Sequence, residues 1–153
     1  RKIMGSLVSV SVRGVYIVET AGGALAPVVL LEDEKSRIVP IFVGLSEAMS
    51  IYNALSGEVT PRPMTHDLFI SIMESLDARI TKALIDDIDE GVFYARISII
   101  SNSVEHEIDA RPSDCVALAL RSKASIHMRE EVISGSCVDK SDLENLTNIE
   151  AYL

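Results

Sequence analysis

The chain reads as an α+β domain, a single compact unit with a mixed, mainly antiparallel sheet packed with three to four helices. Three observations carry that reading. Segments with the period-2 alternation of strands come in groups rather than singly, in the order ββ(β)α, α, βββ, α, β, α. The regular βαβ alternation of a doubly wound sheet does not occur. The 153 residues are 48% hydrophobic and 24% charged, a globular composition at one-domain length, which excludes disorder across the chain.

The elements follow in order. Leu7 to Thr20 is a long strand: Val8, Val10 and Val12 alternate with Ser9 and Ser11. After Gly14 the apolar parity flips to Val15 and Ile17, so a bulge at Gly14 or burial on both faces is expected. Ala21-Gly22-Gly23 makes the turn. Val28–Leu31 starts a second strand and Ile38–Val43 a third, joined by a charged loop. Pro40 points to an edge or a bulge. Gly44–Leu55 carries apolar residues at helical spacing, and Gly57 ends that helix. After the stiff Thr60-Pro61-Arg62-Pro63, Thr65 is the expected N-cap of a second helix with an apolar face of Leu68, Phe69, Ile72, Met73 and Leu76. Arg79–Ile88 and Val92–Ile100 form a hairpin around Asp89-Glu90-Gly91. Val104–Asp109 is a further strand. Ser113 is the expected cap of a third helix, with Asp114 favouring its positive end. Ser125–Met128 is a short strand and Glu130–Ser134 a short helix. Ser141 could cap a last amphipathic helix bearing Leu143, Leu146, Ile149 and Leu153. The expected organisation is an N-terminal extension or vector remnant over 1–6, a domain over 7–134, and an acidic tail over 135–153.

Charge and length exclude other classes. The net charge is −9, and six acidic residues against one lysine in 130–153 supply −5 of it. Nucleic-acid binding normally leaves a basic footprint, so any such function here needs local positive charge or bound cations. Apolar runs such as Ala26–Leu31 fall far short of the about 20 residues of a membrane span. The basic N-terminus lacks the apolar stretch of a secretory signal. Cys115 and Cys137 build neither a disulfide scaffold nor a zinc site, and reduced thiols point to a cytoplasmic protein.

No P-loop, Gly-x-Gly-x-x-Gly, His-Glu-x-x-His or Cys-x-x-Cys occurs. No serine sits in a nucleophile elbow, so a Ser-His-Asp triad cannot be argued from the sequence. Three polar groups remain. In Thr65-His66-Asp67, a proton shuttle and a hard oxygen ligand share a helix N-terminus, where phosphate is favoured; caps and local hydrogen bonds explain the same residues. In Asp109-Ala110-Arg111-Pro112-Ser113-Asp114, two carboxylates flank a guanidinium that can grip phosphate; an Arg–Asp pair pinning the turn is the alternative. Glu105, Glu107 and Asp109 share a strand face, the pattern of a solvated edge more than of an ion site, and His106 on the other parity reads as a hydrogen-bonded core histidine. Glu47 and Glu130-Glu131 complement helix dipoles. Asp33-Glu34-Lys35 resembles the tail of a metal-nuclease Asp/Glu-x-Lys motif, but only as a tripeptide in a loop.

Over residues 7–134 the chain resembles the bifunctional nuclease domain family, formerly a domain of unknown function. The resemblance runs through Val12-Arg13-Gly14-Val15-Tyr16, Val28-Val29-Leu30-Leu31-Glu32-Asp33, and Arg37-Ile38-Val39-Pro40-Ile41-Phe42-Val43-Gly44 with Glu47-Ala48. It continues in Arg62-Pro63-Met64-Thr65-His66-Asp67-Leu68 and is clearest in Ile108-Asp109-Ala110-Arg111-Pro112-Ser113-Asp114-Cys115-Val116-Ala117-Leu118-Ala119-Leu120. Cys115 stands where the family usually has Ala. The helical hairpin that some members carry at the C-terminus is not found, and 135–153 lies outside the match. The resemblance implies degradation of DNA and RNA by a self-associating α+β domain, a dimer being the favoured homo-oligomer.

Two readings of the residues follow. In the first, Asp67, Asp109 and Asp114 hold Mg²⁺ or Mn²⁺, His66 is general base or acid, and Arg111 binds the scissile phosphate, with Asp114 also counted in the catalytic set. That scheme needs these groups to converge within a few ångströms, and it fails if His66 lies more than about 10 Å from Asp114, well beyond hydrogen-bond reach. In the second, the same residues are caps and turn locks of a non-catalytic binding or assembly module.

Overall fold

The computed structural model describes residues 5–153. Residues 1–4 of the expected N-terminal extension lie outside the described residues. The fold comprises β1 (Leu7–Glu19), β2 (Leu25–Asp33), β3 (Ile38–Phe42), α1 (Leu45–Ser56), α2 (Thr65–Ser75), β4 (Ala78–Asp89), β5 (Val92–Ser101), β6 (Val104–Ala110), α3 (Pro112–Ser122), β7 (Ser125–Arg129), α4 (Glu130–Ser136) and β8 (Leu146–Asn148). Two single-turn 3₁₀ segments, Lys140–Leu143 and Ile149–Tyr152, flank β8. The strands form one sheet in the order β3-β2-β1-β7-β4-β5-β6, with β8 also on β1. Every pairing is antiparallel except β4 with β7.

Local chemistry explains most of this. The β1–β2 register slips between Val12 and Gly14, a bulge that turns Val15 and Ile17 onto the core face. Pro40 sits in β3, the edge strand, where the hydrogen bond it cannot donate is not needed in the interior. The hairpins β4–β5 and β5–β6 turn through Glu90-Gly91 and Asn102-Ser103, each pair at positive φ, as the right-handed twist of two-residue turns requires. Gly57 closes α1 in the left-handed conformation, φ 73°.

Alternation along the strands divides the core. Val29, Leu31, Val39 and Ile41 join the main cluster with Ala48 and Ile51 of α1 and the body of α3. Their neighbours Val28, Leu30 and Ile38 point the other way, into a second cluster with Tyr16, Leu143 and Leu146. β2 is therefore covered on both faces, which is why it reads as an apolar run. Residues 115–119 of α3 are all buried, so this helix lies within the core.

Four expectations are corrected. Met64 and Arg111, not Thr65 and Ser113, are the N-caps; Thr65 and Pro112 are the first helical residues, and Ser113 is buried. Proline preset at the first position of α3 moves the start two residues earlier. His106 is exposed, because β6 is the outer edge and little packs on either face. Only Met73 of the apolar face of α2 is buried; Leu68, Phe69, Ile72 and Leu76 are about half exposed or more. The tail is not an amphipathic helix. Its apolar residues are divided between β8, which pairs with β1, and Ile149, which is buried in the main core. Pairing with a free strand edge wins over a short helix, which is marginal in isolation.

Candidate active site

The first turns of α1, α2 and α3 open onto one cleft of about 550 Å³. α1 contributes Leu45, Ser46, Glu47 and Ser50; α2 contributes Thr65 and His66; α3 brings Asp114, with Arg111 at its cap. The caps Gly44 and Arg111 provide no side-chain oxygen to the first-turn N–H groups. Helix N-termini carry partial positive charge and N–H donors that favour an anion, and each of these three has a carboxylate of its own in the first turn, Glu47, Asp67 and Asp114.

His66 is the centre of the cleft. Its Nε2 lies 2.9 Å from Asp114 Oδ1, and its Nδ1 lies 2.6 Å from Ser50 Oγ. Arg111 donates to the same carboxylate, Nε to Oδ2 at 2.9 Å and Nη2 to Oδ1 at 3.1 Å. Burial pushes the Asp114 carboxyl up, but the hydrogen bonds from Arg111 and His66 outweigh it and hold the group below the usual carboxylate range. An ionised Asp114 can only accept, so Nε2 carries a proton, and in the neutral ring Nδ1 then presents its lone pair to the Ser50 hydroxyl. Asp114, and to a lesser extent Glu47, raises the pKa of Arg111. The Arg111 side chain is 63% exposed and reaches beyond Asp114. It also borders two further hollows, one of about 510 Å³ beside Phe42 and Phe93 and one of about 700 Å³ shared with His66 and Phe69.

The structure thus brings His66, Arg111 and Asp114 together. Asp109 stands on the wall of the 700 Å³ hollow, opposite Arg96 in the β5–β6 register. Asp67 faces elsewhere: Oδ1 accepts from Arg121 Nε at 2.7 Å, and Oδ2 accepts from the Met64 backbone N–H at 3.0 Å. The Arg121 hydrogen bond lowers the Asp67 pKa against a smaller effect of burial. Among the described residues no three His, Cys, Asp or Glu side chains gather where they could hold a metal ion. With Asp67 and Asp114 engaged by arginines, the set Asp67, Asp109 and Asp114 does not fit Mg²⁺ or Mn²⁺ as arranged.

Two participants were not foreseen. Ser50 is one serine among many in the sequence, and only the approach of α2 to α1 reveals its partner. Arg121 ties the three helices together: besides Asp67 it donates to Ala117 O at 2.9 Å and to Ser50 O at 3.1 Å. Three of the other acidic residues singled out in the sequence pair with arginines away from the cleft. Asp33 closes its hairpin by accepting from Lys35 N, Arg37 N and Arg37 Nε, and Arg37 grips Glu130 through two nitrogens. Glu107 pairs with Arg96 on the sheet edge.

A family model described as the bifunctional nuclease domain matches residues 28–141. Uncharacterized proteins of two Mycobacterium tuberculosis strains are 37% identical over 127 residues, covering 80% of this chain and 76% of theirs. A rice protein named bifunctional nuclease 1 (Oryza sativa) is 24% identical over 110 residues, 70% of this chain but 33% of its own length.

Proposed function

The chain belongs to the bifunctional nuclease domain family, and from that premise we propose that it hydrolyses phosphodiester bonds of DNA and RNA at the His66–Asp114–Arg111 cluster. The observation that carries the proposal is the convergence of three helix N-termini and one exposed guanidinium on a single cleft. That combination gives an acidic chain a local place for a phosphate.

Each side chain then has a task. Arg111, held in place by Asp114, turns its remaining N–H donors to the phosphate oxygens and offsets the charge that develops on them. Asp114 fixes the Nε2–H tautomer of His66 and stabilises the imidazolium that forms. His66 Nδ1 takes the proton of the attacking hydroxyl and passes it to the departing sugar oxygen. The products are an alcohol and a phosphate monoester, with one water consumed. No step of this scheme runs through a divalent ion.

The assay is cleavage of end-labelled single-stranded DNA and RNA by wild type and Asp114→Asn, each in Mg²⁺, Mn²⁺ or EDTA. A positioned acid–base group contributes about 10²–10⁴-fold, so the variant should cut at least about a hundredfold more slowly while staying folded. Equal cutting by the two proteins, or none by wild type in any condition, refutes the assignment. Activity confined to Mg²⁺ or Mn²⁺ would restore a metal to the scheme.

A second reading has its own observation: the exposed Leu68, Phe69, Ile72 and Leu76 on α2 suit assembly of copies into a homo-oligomer, a dimer first. Assembly is compatible with catalysis, since this row leaves the His66–Asp114 contact intact. No helix among the described residues is long and apolar enough to cross a membrane. Cys115 and Cys137 are both free, which suits work in the cytoplasm.

A further inference from the structure

We propose that Ser50 is the nucleophile of this site, activated by His66 and Asp114 as a Ser–His–Asp relay assembled from three helices. The inference rests on the phosphodiester reading for its substrate but stands on its own geometry for the chemistry. The Ser50 hydroxyl lies 2.6 Å from His66 Nδ1, and the opposite ring nitrogen lies 2.9 Å from Asp114. Nucleophile, base and orienting carboxylate are therefore in line, the arrangement by which a hydroxyl is activated at neutral pH.

Three further features support it. A serine inside a helix commonly turns its hydroxyl back to the carbonyl one turn earlier; this one reaches across to another helix. Ser50 and Arg111 border the same cleft, so a phosphate held by the guanidinium faces the hydroxyl. Arg121 donates to the Ser50 carbonyl and to Asp67 of α2, which fixes the backbone that bears the nucleophile against the helix that bears the base. Helices hold such a group more firmly than loops do.

The chemistry balances in two steps. Ser50 Oγ forms a bond to phosphorus, its proton moves to His66 Nδ1, and the bond to the departing sugar oxygen breaks as that oxygen takes the proton. This leaves a phosphodiester between Ser50 and the remaining nucleotide. Water then attacks the same phosphorus, gives a proton to Nδ1, and Ser50 Oγ leaves and recovers it. The net change is hydrolysis, with nothing oxidised or reduced.

The test uses a fluorophosphonate, which captures an activated serine by losing fluoride, together with acid-quenched reactions on labelled oligonucleotides. Wild type should acquire one adduct per chain, on the peptide that contains Ser50. Ser50→Ala should acquire none there, and His66→Gln should label at least about a hundredfold more slowly. Quenched wild type should carry nucleotide covalently on Ser50. Alanine suits a helix interior, and equal melting temperatures verify that the variant is folded. Cleavage at the wild-type rate by Ser50→Ala, or no adduct at Ser50, overturns the inference and leaves the hydrolysis proposal standing with water as the nucleophile. Labelling at Ser50 in a protein that cuts no nucleic acid upholds the nucleophile and refutes the nuclease reading instead.

Discussion

Arg121 is the residue whose loss should be felt most widely, although nothing in the sequence singles it out. Its side chain is 11% exposed and bonds to Asp67, Ala117 O and Ser50 O, one partner on each of α2, α3 and α1. Arg121→Met keeps most of the aliphatic stem and removes all three bonds. The two carbonyls retain their own intrahelical hydrogen bonds, so each loss costs about 1 kcal/mol rather than a full burial penalty. Asp67 is 38% exposed, which limits its term to about 1 kcal/mol after screening. The sum is about 3 kcal/mol, and for a domain of this size that lowers Tm by about 6–12 °C. The loss should depend on pH. The folded Asp67 carboxyl titrates below its ordinary value of 3.8. Its share of the stability is therefore fully present above about pH 4 and is lost as the pH falls through the folded value. Melting curves at pH 7 and pH 3 measure both effects: the gap between wild type and variant should narrow in acid. A Tm drop under about 2 °C at pH 7, or a gap that widens in acid, would show that Arg121 does not tie the helices together.

Two further outcomes follow from the fold. Thr65→Ala should change stability by less than about 0.5 kcal/mol in urea titration, because Thr65 is the exposed first helical residue and not the cap; a loss above about 1 kcal/mol would return the capping role to it. Ile85→Ala, at a fully buried position on β4 between β5 and β7, should cost about 2–5 kcal/mol at unchanged m-value, and a loss under 1 kcal/mol would mean that this part of the core collapses around the gap.

The elements were legible where local chemistry decides them. Gly14 announced its bulge, Pro40 its edge strand, Glu90-Gly91 its turn and Gly57 its helix end, since each rests on a backbone restriction that one residue carries. Caps at Thr65 and Ser113 were misplaced by one and two residues, because good capping side chains stood beside the true starts. The tail misled for a different reason. Leu143, Leu146 and Ile149 have helical spacing, yet the free stretch of β1 from Tyr16 to Val18 captured Leu146–Asn148 as a strand. That competition is tertiary and leaves no local signal. At the site, His66, Arg111 and Asp114 could be picked out because their residue types are chemically distinctive. Ser50 could not, since a helical serine becomes notable only when another helix presents an imidazole to it. The metal set failed to gather for the same cause: Arg121, distant in sequence, engages Asp67.

The charge balance then has a physical resolution. A chain at −9 would be expected to repel a polyanion. At physiological ionic strength, however, the Debye length is about 8 Å, so charges on distant faces are largely screened from a phosphate inside the cleft. What that phosphate meets is local: three helix ends, the Arg111 guanidinium paired with Asp114, the Arg121 guanidinium, and the Glu47 carboxylate on the same wall. Affinity built this way uses few phosphate contacts, so it grips one phosphodiester rather than a length of backbone. A site of that kind has no means of reading sequence through base edges, and little that depends on a sugar hydroxyl. Under the proposed function such a site is expected to cut DNA and RNA alike, and a strong preference for either in the cleavage assay would contradict this account of its charge.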